Sequence, residues 1–215
     1  MKTLGRVAVF GDSYSTFEGC IPEGYNTYYG KDKHVETGVL RREDTWWDQL
    51  IRETHSTLVL NNSYSGSTVC YTGRENFPVS SSFAARAPRF FDGTVPLDTI
   101  VVLGGTNDSW IDSPLGDPAI KEWDAYTEED KKDVLPSIGY TVGFLRARYP
   151  AARIVTVINS GLKPEIAGTL KNAAEKNRCI IVELTDVSKV HGHPDRAGMT
   201  RIKELILKAV FDGTN

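Results

Sequence analysis

Four short blocks of the chain hold the side chains that could carry out chemistry, and three of them follow directly on a run of apolar residues. The first is VFGDSYSTFEG (9–19), in which Ser13 comes after Gly11 and Asp12. The others are NNSYSGST with Gly66, GGTND with Asn107 and Asp108, and DVSKVHGHPDRAGM with His191 and His193. A serine hydroxyl is a weak nucleophile at neutral pH and needs an imidazole within hydrogen-bond reach to take its proton. His193 is the candidate base. A tetrahedral intermediate puts negative charge on the former carbonyl oxygen, which preorganised N–H donors must meet. The Ser13 backbone N–H, the Gly66 backbone N–H and the Asn107 side-chain amide are the candidate donors, and a residue without Cβ suits close approach at position 66. A hydroxyl, a glycine amide, a side-chain amide and an imidazole are together the parts of an acyl-transfer site.

These blocks resemble those of the SGNH hydrolases, the GDSL-like esterase and lipase family. They align as Ser13 in G-D-S, Gly66 in N-x-x-x-S-G-x-T, Asn107 in G-x-N-D and His193 in H-P-x-x-x-G-M, in the family's order and over residues 11–199. Each block alone is a weak motif, whereas four at successive strand ends are fairly specific. The resemblance implies a flavodoxin-like fold, no cofactor, and hydrolysis of carboxylic esters, or occasionally thioesters, through an acyl-serine.

Two positions depart from the family's pattern. The first block reads GDSY, and Tyr14 is expected only to pack behind the nucleophile. Where the family carries an aspartate three residues before the histidine, this chain has Val190, and for His191 the equivalent residue is Ser188. Such an aspartate fixes the imidazole tautomer and stabilises the imidazolium. The expected arrangement is therefore a Ser13–His193 dyad oriented by a main-chain carbonyl, or by Asp186 folding back, with an acid limb of activity at the ordinary histidine pKa near ~6.5.

The elements that must position these residues are legible as five β-branched runs: RVAVF (6–10), TLVLN (57–61), TIVVL (99–103), RIVTVI (153–158) and CIIVEL (179–184). Each is continuous rather than alternating, as in strands covered on both faces. Segments 44–54, 81–91, 128–149, 164–177 and 195–211 can be helical, with Pro88 and Pro136 starting, stopping or kinking theirs. This alternation predicts a single α/β domain over 1–215, a three-layer sandwich around a five-stranded parallel sheet of order 2-1-3-4-5. Ligands of such sheets bind outside the carboxyl ends of the strands. The long connections 14–43 and 109–127 are of a length usually tied to function or mobility.

Composition narrows the classes of partner. A net charge of −3 with scattered Lys and Arg argues against nucleic acid. No apolar run reaches membrane-spanning length, and Val7–Phe10 is too short for a signal-peptide core, so the expectation is a cytoplasmic protein with no membrane partner. Cys20, Cys70 and Cys179 form no C-x-x-C pair and are expected as reduced thiols.

Structural roles stand beside the chemical ones. Ser13 could cap a helix, Gly66 could serve only a turn, and Asn107 with Asp108 could be Asx-turn residues. Asp12 and Asp108 are expected to brace loops, and Asp195 to cap the last helix. His34 and His55 carry no motif. Tyr25, Tyr28, Tyr29, Trp46 and Trp47 either pack the first long loop or stack on sugar rings. The preferred function is a serine esterase for small acyl groups, such as O-acetyl groups on a carbohydrate, without a metal. The alternatives are a metal-dependent phosphoesterase using the 191–193 HGH triplet with Asp12, Asp108 and Asp186, and a non-catalytic carbohydrate-binding domain.

Overall fold

Continuous apolar strands need cover on both faces, and the chain supplies it with helices on either side of one sheet. The computed structural model describes residues 2–213. Strands β1 (Arg6–Gly11), β2 (Thr57–Ser63), β3 (Thr99–Leu103), β4 (Arg153–Ile158) and β5 (Ile180–Glu183) are parallel, in the order β2-β1-β3-β4-β5. The helices are α1 (Trp46–Glu53), α2 (Phe83–Phe90), α3 (Thr106–Trp110), α4 (Val134–Arg148), α5 (Pro164–Lys176) and α6 (Arg196–Phe211). Because successive strand residues point to opposite faces, Ala8, Phe10, Ile100, Val102 and Ile154 pack with α2, α4 and α5. Val7, Val9, Val101, Leu103, Val155 and Val157 pack with α1 and α6. Among the described residues no helix is long and apolar enough to cross a membrane.

The expected elements are present, with shifted ends where local chemistry intervenes. The helix expected over 128–149 begins only at Val134, because Pro136 is tolerated in a first turn but would clash with the carbonyl four residues back in a helix interior. Residues Asp130–Lys132 form a separate 3₁₀ turn. Thr45 caps α1 and Ser82 caps α2, each accepting from the backbone N–H three residues on. Trp46 and Trp47 are fully buried and, with Tyr29 and Phe17, fasten the first long loop to the core. At ~25 cal/mol per Å², each tryptophan contributes up to about 4–6 kcal/mol of transfer free energy.

Besides single 3₁₀ turns, two elements have no counterpart in the sequence reading, the short helix α3 and a hairpin. Between β5 and α6 the chain forms an antiparallel hairpin, β6 (Lys189–Val190) and β7 (His193–Pro194). Its turn residues His191 and Gly192 both have positive φ, 48° and 78°, as a two-residue I′ turn requires. Asp195 then caps α6, accepting from Gly198 N at 2.8 Å. Gly198 lets the helix start lie against the Ser188 carbonyl, where a Cβ has no room.

Candidate active site

Ser13 stands at the carboxyl end of β1, where the chain leaves the sheet in a single 3₁₀ turn, Ser13–Ser15. The cap of that turn is Asp12, whose Oδ1 accepts from Tyr14 N at 3.1 Å, so the Ser13 hydroxyl is not engaged as a cap. Ser13 Oγ lies 3.0 Å from His193 Nε2. His193 Nδ1 lies 3.2 Å from the His191 carbonyl oxygen. A carbonyl only accepts, so Nδ1 carries the proton and Nε2 offers its lone pair to the serine hydroxyl. Asp186 is absent from this arrangement: its side chain is 88% exposed and faces Arg201 at 3.8 Å.

Aromatic side chains from outside the hairpin enclose the imidazole on several sides. The Tyr28 ring stacks on it at a centroid distance of 3.6 Å and an interplanar angle of 8°, and His34 stacks on the other face of Tyr28 at 3.8 Å. Trp110 meets its edge at 5.5 Å and remains 47% exposed. Tyr29 donates to the Pro194 carbonyl and Tyr14 to the Gly192 carbonyl. Burial under these rings pushes the His193 pKa down to about 4; the His191 carbonyl opposes the shift, and His34, Lys189 and Arg74 add to it.

The ends of β2 and β3 bring the remaining blocks alongside. Gly66 has φ +86°, and a Cβ there would strike the Phe77 ring, so this position needs glycine twice over. Asn107 is buried in the first turn of α3; its Nδ2 donates to the Ser67 carbonyl at 2.9 Å, and Arg74 donates to its Oδ1 at 3.2 Å. The amide is thereby fixed with a second N–H to spare. Asp108 accepts from Val69 N and Cys70 N and so braces the loop after β2. Beneath lies Arg86, fully buried between Phe10 and Phe83. Its guanidinium donates to Gly11 O, Asn62 O, Asn62 Oδ1, Ser67 Oγ and Ser81 O, tying the ends of β1 and β2 together. Burial pushes Asp12 up to about 7 and Asp108 up to about 6.

Ser13 and His193 are thus in direct contact, and Asn107 is tied to Ser67, the neighbour of Gly66. Of the acids of the metal alternative, Asp12 and Asp108 accept from backbone amides and Asp186 lies outward beside Arg201. Among the described residues no group of three His, Cys, Asp or Glu is placed to hold a metal ion. Sequence reasoning missed several residues here. Tyr14 does more than pack, since its hydroxyl holds a carbonyl of the hairpin; Tyr28 covers the imidazole rather than only the loop; and His34, read as without a role, backs Tyr28. Arg74, Arg86 and Trp110 carry no motif. The one usable signal was Arg86, a lone cation in the otherwise apolar stretch FAARAP.

The whole chain resembles known proteins along most of its length. Residues 5–210 match the GDSL-like lipase/acylhydrolase family. The structure of a candidate GDSL-like lipase from Bacteroides ovatus is 35% identical, with a TM-score of 0.85 over 95% of this chain and 97% of that one. Another, from Bacteroides uniformis, is also 35% identical, with a TM-score of 0.87 over 96% and 95%. A carbohydrate acetylesterase from Sinorhizobium meliloti shares the fold at 18% identity, with a TM-score of 0.60 over 96% and 98%. No curated protein matches the sequence. With its sheet order, its four strand-end blocks and a family match from residue 5 to residue 210, the chain belongs to the GDSL-like lipase/acylhydrolase family.

Proposed function

We propose that the protein is a serine esterase that works through an acyl-serine intermediate, with Ser13 as nucleophile and His193 as general base and acid. The observation that carries this reading is the 3.0 Å contact between Ser13 Oγ and an Nε2 left unprotonated by the carbonyl at Nδ1. Nε2 takes the serine proton as Oγ attacks the ester carbonyl. The Ser13 and Gly66 backbone N–H groups and the free Asn107 N–H meet the oxyanion. The imidazolium then returns its proton to the leaving alcohol, and water repeats the sequence in reverse order to release the acid and free Ser13. Without an aspartate the imidazolium is stabilised less, so the orienting carbonyl sustains the reaction at a lower rate than a charged partner would.

Within this reading the substrate is a small-acyl ester, with an O-acetyl group on a carbohydrate as the preferred class. Trp110 supports it, because an exposed indole beside His193 is a surface on which a sugar ring can stack. A panel of p-nitrophenyl acetate, butyrate and octanoate tests the reading. The expected result is highest kcat/KM on acetate, loss of nearly all turnover in a folded Ser13→Ala variant, and no effect of EDTA. Undiminished turnover in Ser13→Ala, or silencing by EDTA, contradicts it.

A further inference from the structure

We infer that Tyr14 is a positioning residue for His193: its phenol holds the His191–Gly192 turn so that the His191 carbonyl meets Nδ1, the orienting task for which position 190 offers no carboxylate. The inference rests on the Ser13–His193 reading of the site. Tyr14 is the residue next to Ser13, 1% exposed, and its hydroxyl donates to the Gly192 carbonyl at 2.5 Å. Asn159, immediately after β4, donates from Nδ2 to the same hydroxyl at 3.2 Å, which leaves the phenol proton to point at Gly192. Asn159 Nδ2 also donates to Thr106 Oγ1 at 3.0 Å, and Asn159 Oδ1 accepts from Lys189 Nζ at 3.0 Å. Lys189 belongs to β6. The hairpin is therefore gripped at its turn by Tyr14 and at its first strand by Lys189, and both grips meet at one buried amide.

The turn needs such a grip. His191 sits at φ 48°, a left-handed conformation that costs a residue with a Cβ about 1–2 kcal/mol. Two strands of two residues supply little pairing to offset that cost. The carbonyls of His191 and Gly192 belong to successive peptide planes, so fixing the second restricts rotation of the first. Burial raises the Tyr14 pKa, which keeps the phenol a donor throughout the working pH range. A leucine at position 14, as in the GDSL form of the block, has no donor for that carbonyl.

Tyr14→Phe removes the hydroxyl and keeps the ring. The experiment combines ¹⁵N NMR of the His193 imidazole, p-nitrophenyl acetate kinetics and thermal unfolding, with Ser13→Ala as control. The expected result is a wild-type imidazole in the Nδ1–H form, and in Tyr14→Phe a mixture of tautomers with kcat down about 10–100-fold at unchanged KM, by analogy with the loss of an outer partner of a metal-ligating histidine. Lys189→Met should move both readouts the same way by a smaller factor, and it decides alone if Tyr14→Phe does not fold. A wild-type tautomer with kcat within twofold in the folded variant overturns the inference, whatever the change in Tm. If the wild-type protein turns over the ester no faster than Ser13→Ala, the serine-esterase reading fails, and the tautomer measurement still decides the role of Tyr14.

Discussion

Val190 and His193 face each other as cross-strand partners of the β6–β7 hairpin, with only the two turn residues between them. The histidine therefore draws its Nδ1 acceptor from its own turn, the His191 carbonyl at 3.2 Å. A carbonyl selects the tautomer as an aspartate does, but it brings no full negative charge to the imidazolium.

The carboxylate that the sequence offered as an alternative partner, Asp186, is turned outward beside Arg201. Asp186→Asn should accordingly change kcat by less than about tenfold, against the ~10⁴ lost when a triad aspartate is amidated. Steady-state kinetics on p-nitrophenyl acetate measure this, and a loss of three orders of magnitude would show that Asp186 reaches the imidazole in solution.

The pH dependence follows from burial. The working form of a general base is the neutral imidazole, whose fraction rises with pH through its pKa, and burial sets that pKa at about 4 rather than near the ordinary 6.5. The acid limb of kcat/KM, which reports the free enzyme, should lie well below 6.5. Tyr28→Ala uncovers the ring and should move the limb upward toward 6.5. A wild-type limb at 6.5 or above would show that burial does not lower the His193 pKa.

Asn107 is held through Ser67 and Arg74 with one N–H left over. If that N–H meets the oxyanion, Asn107→Ala lowers kcat by about 10²–10³ with little change in KM, because the bond strengthens only in the transition state. A change in KM alone would make Asn107 a binding or loop residue.

Asp12 offers a test of the buried electrostatics by stability. Its pKa is raised from 3.8 to about 7, chiefly by burial. A raised folded-state pKa gives a contribution that is complete below about 3.8 and is lost as pH climbs to about 7. Asp12→Asn has no proton to lose, so its Tm relative to the wild type should be higher at pH 8 than at pH 4.5. A difference of ~1 kcal/mol corresponds to about 2–4 °C for a chain of this length. Equal Tm differences at the two pH values would mean that Asp12 titrates normally.

The sheet was legible because five continuous apolar runs admit few arrangements, and the four blocks were legible because each sits at a strand end. Local competition hid other features. Pro136 displaced the start of α4, and Asp12 rather than Ser13 took the cap. The hairpin leaves no local signal, because two-residue strands show no period and His-Gly is not a usual I′ pair. The partners of His193 lay beyond any local pattern: the Tyr14 hydroxyl reaches a carbonyl 178 residues away, and the Tyr28 stack joins the first long loop to the last strand.

If Ser13 is a nucleophile activated by His193, a fluorophosphonate probe should label the serine covalently, which mass spectrometry reads. One adduct is expected, on the peptide containing Ser13, absent in Ser13→Ala and formed far more slowly in His193→Ala. An unmodified protein, or an adduct on another residue with Ser13 free, would contradict the nucleophile assignment.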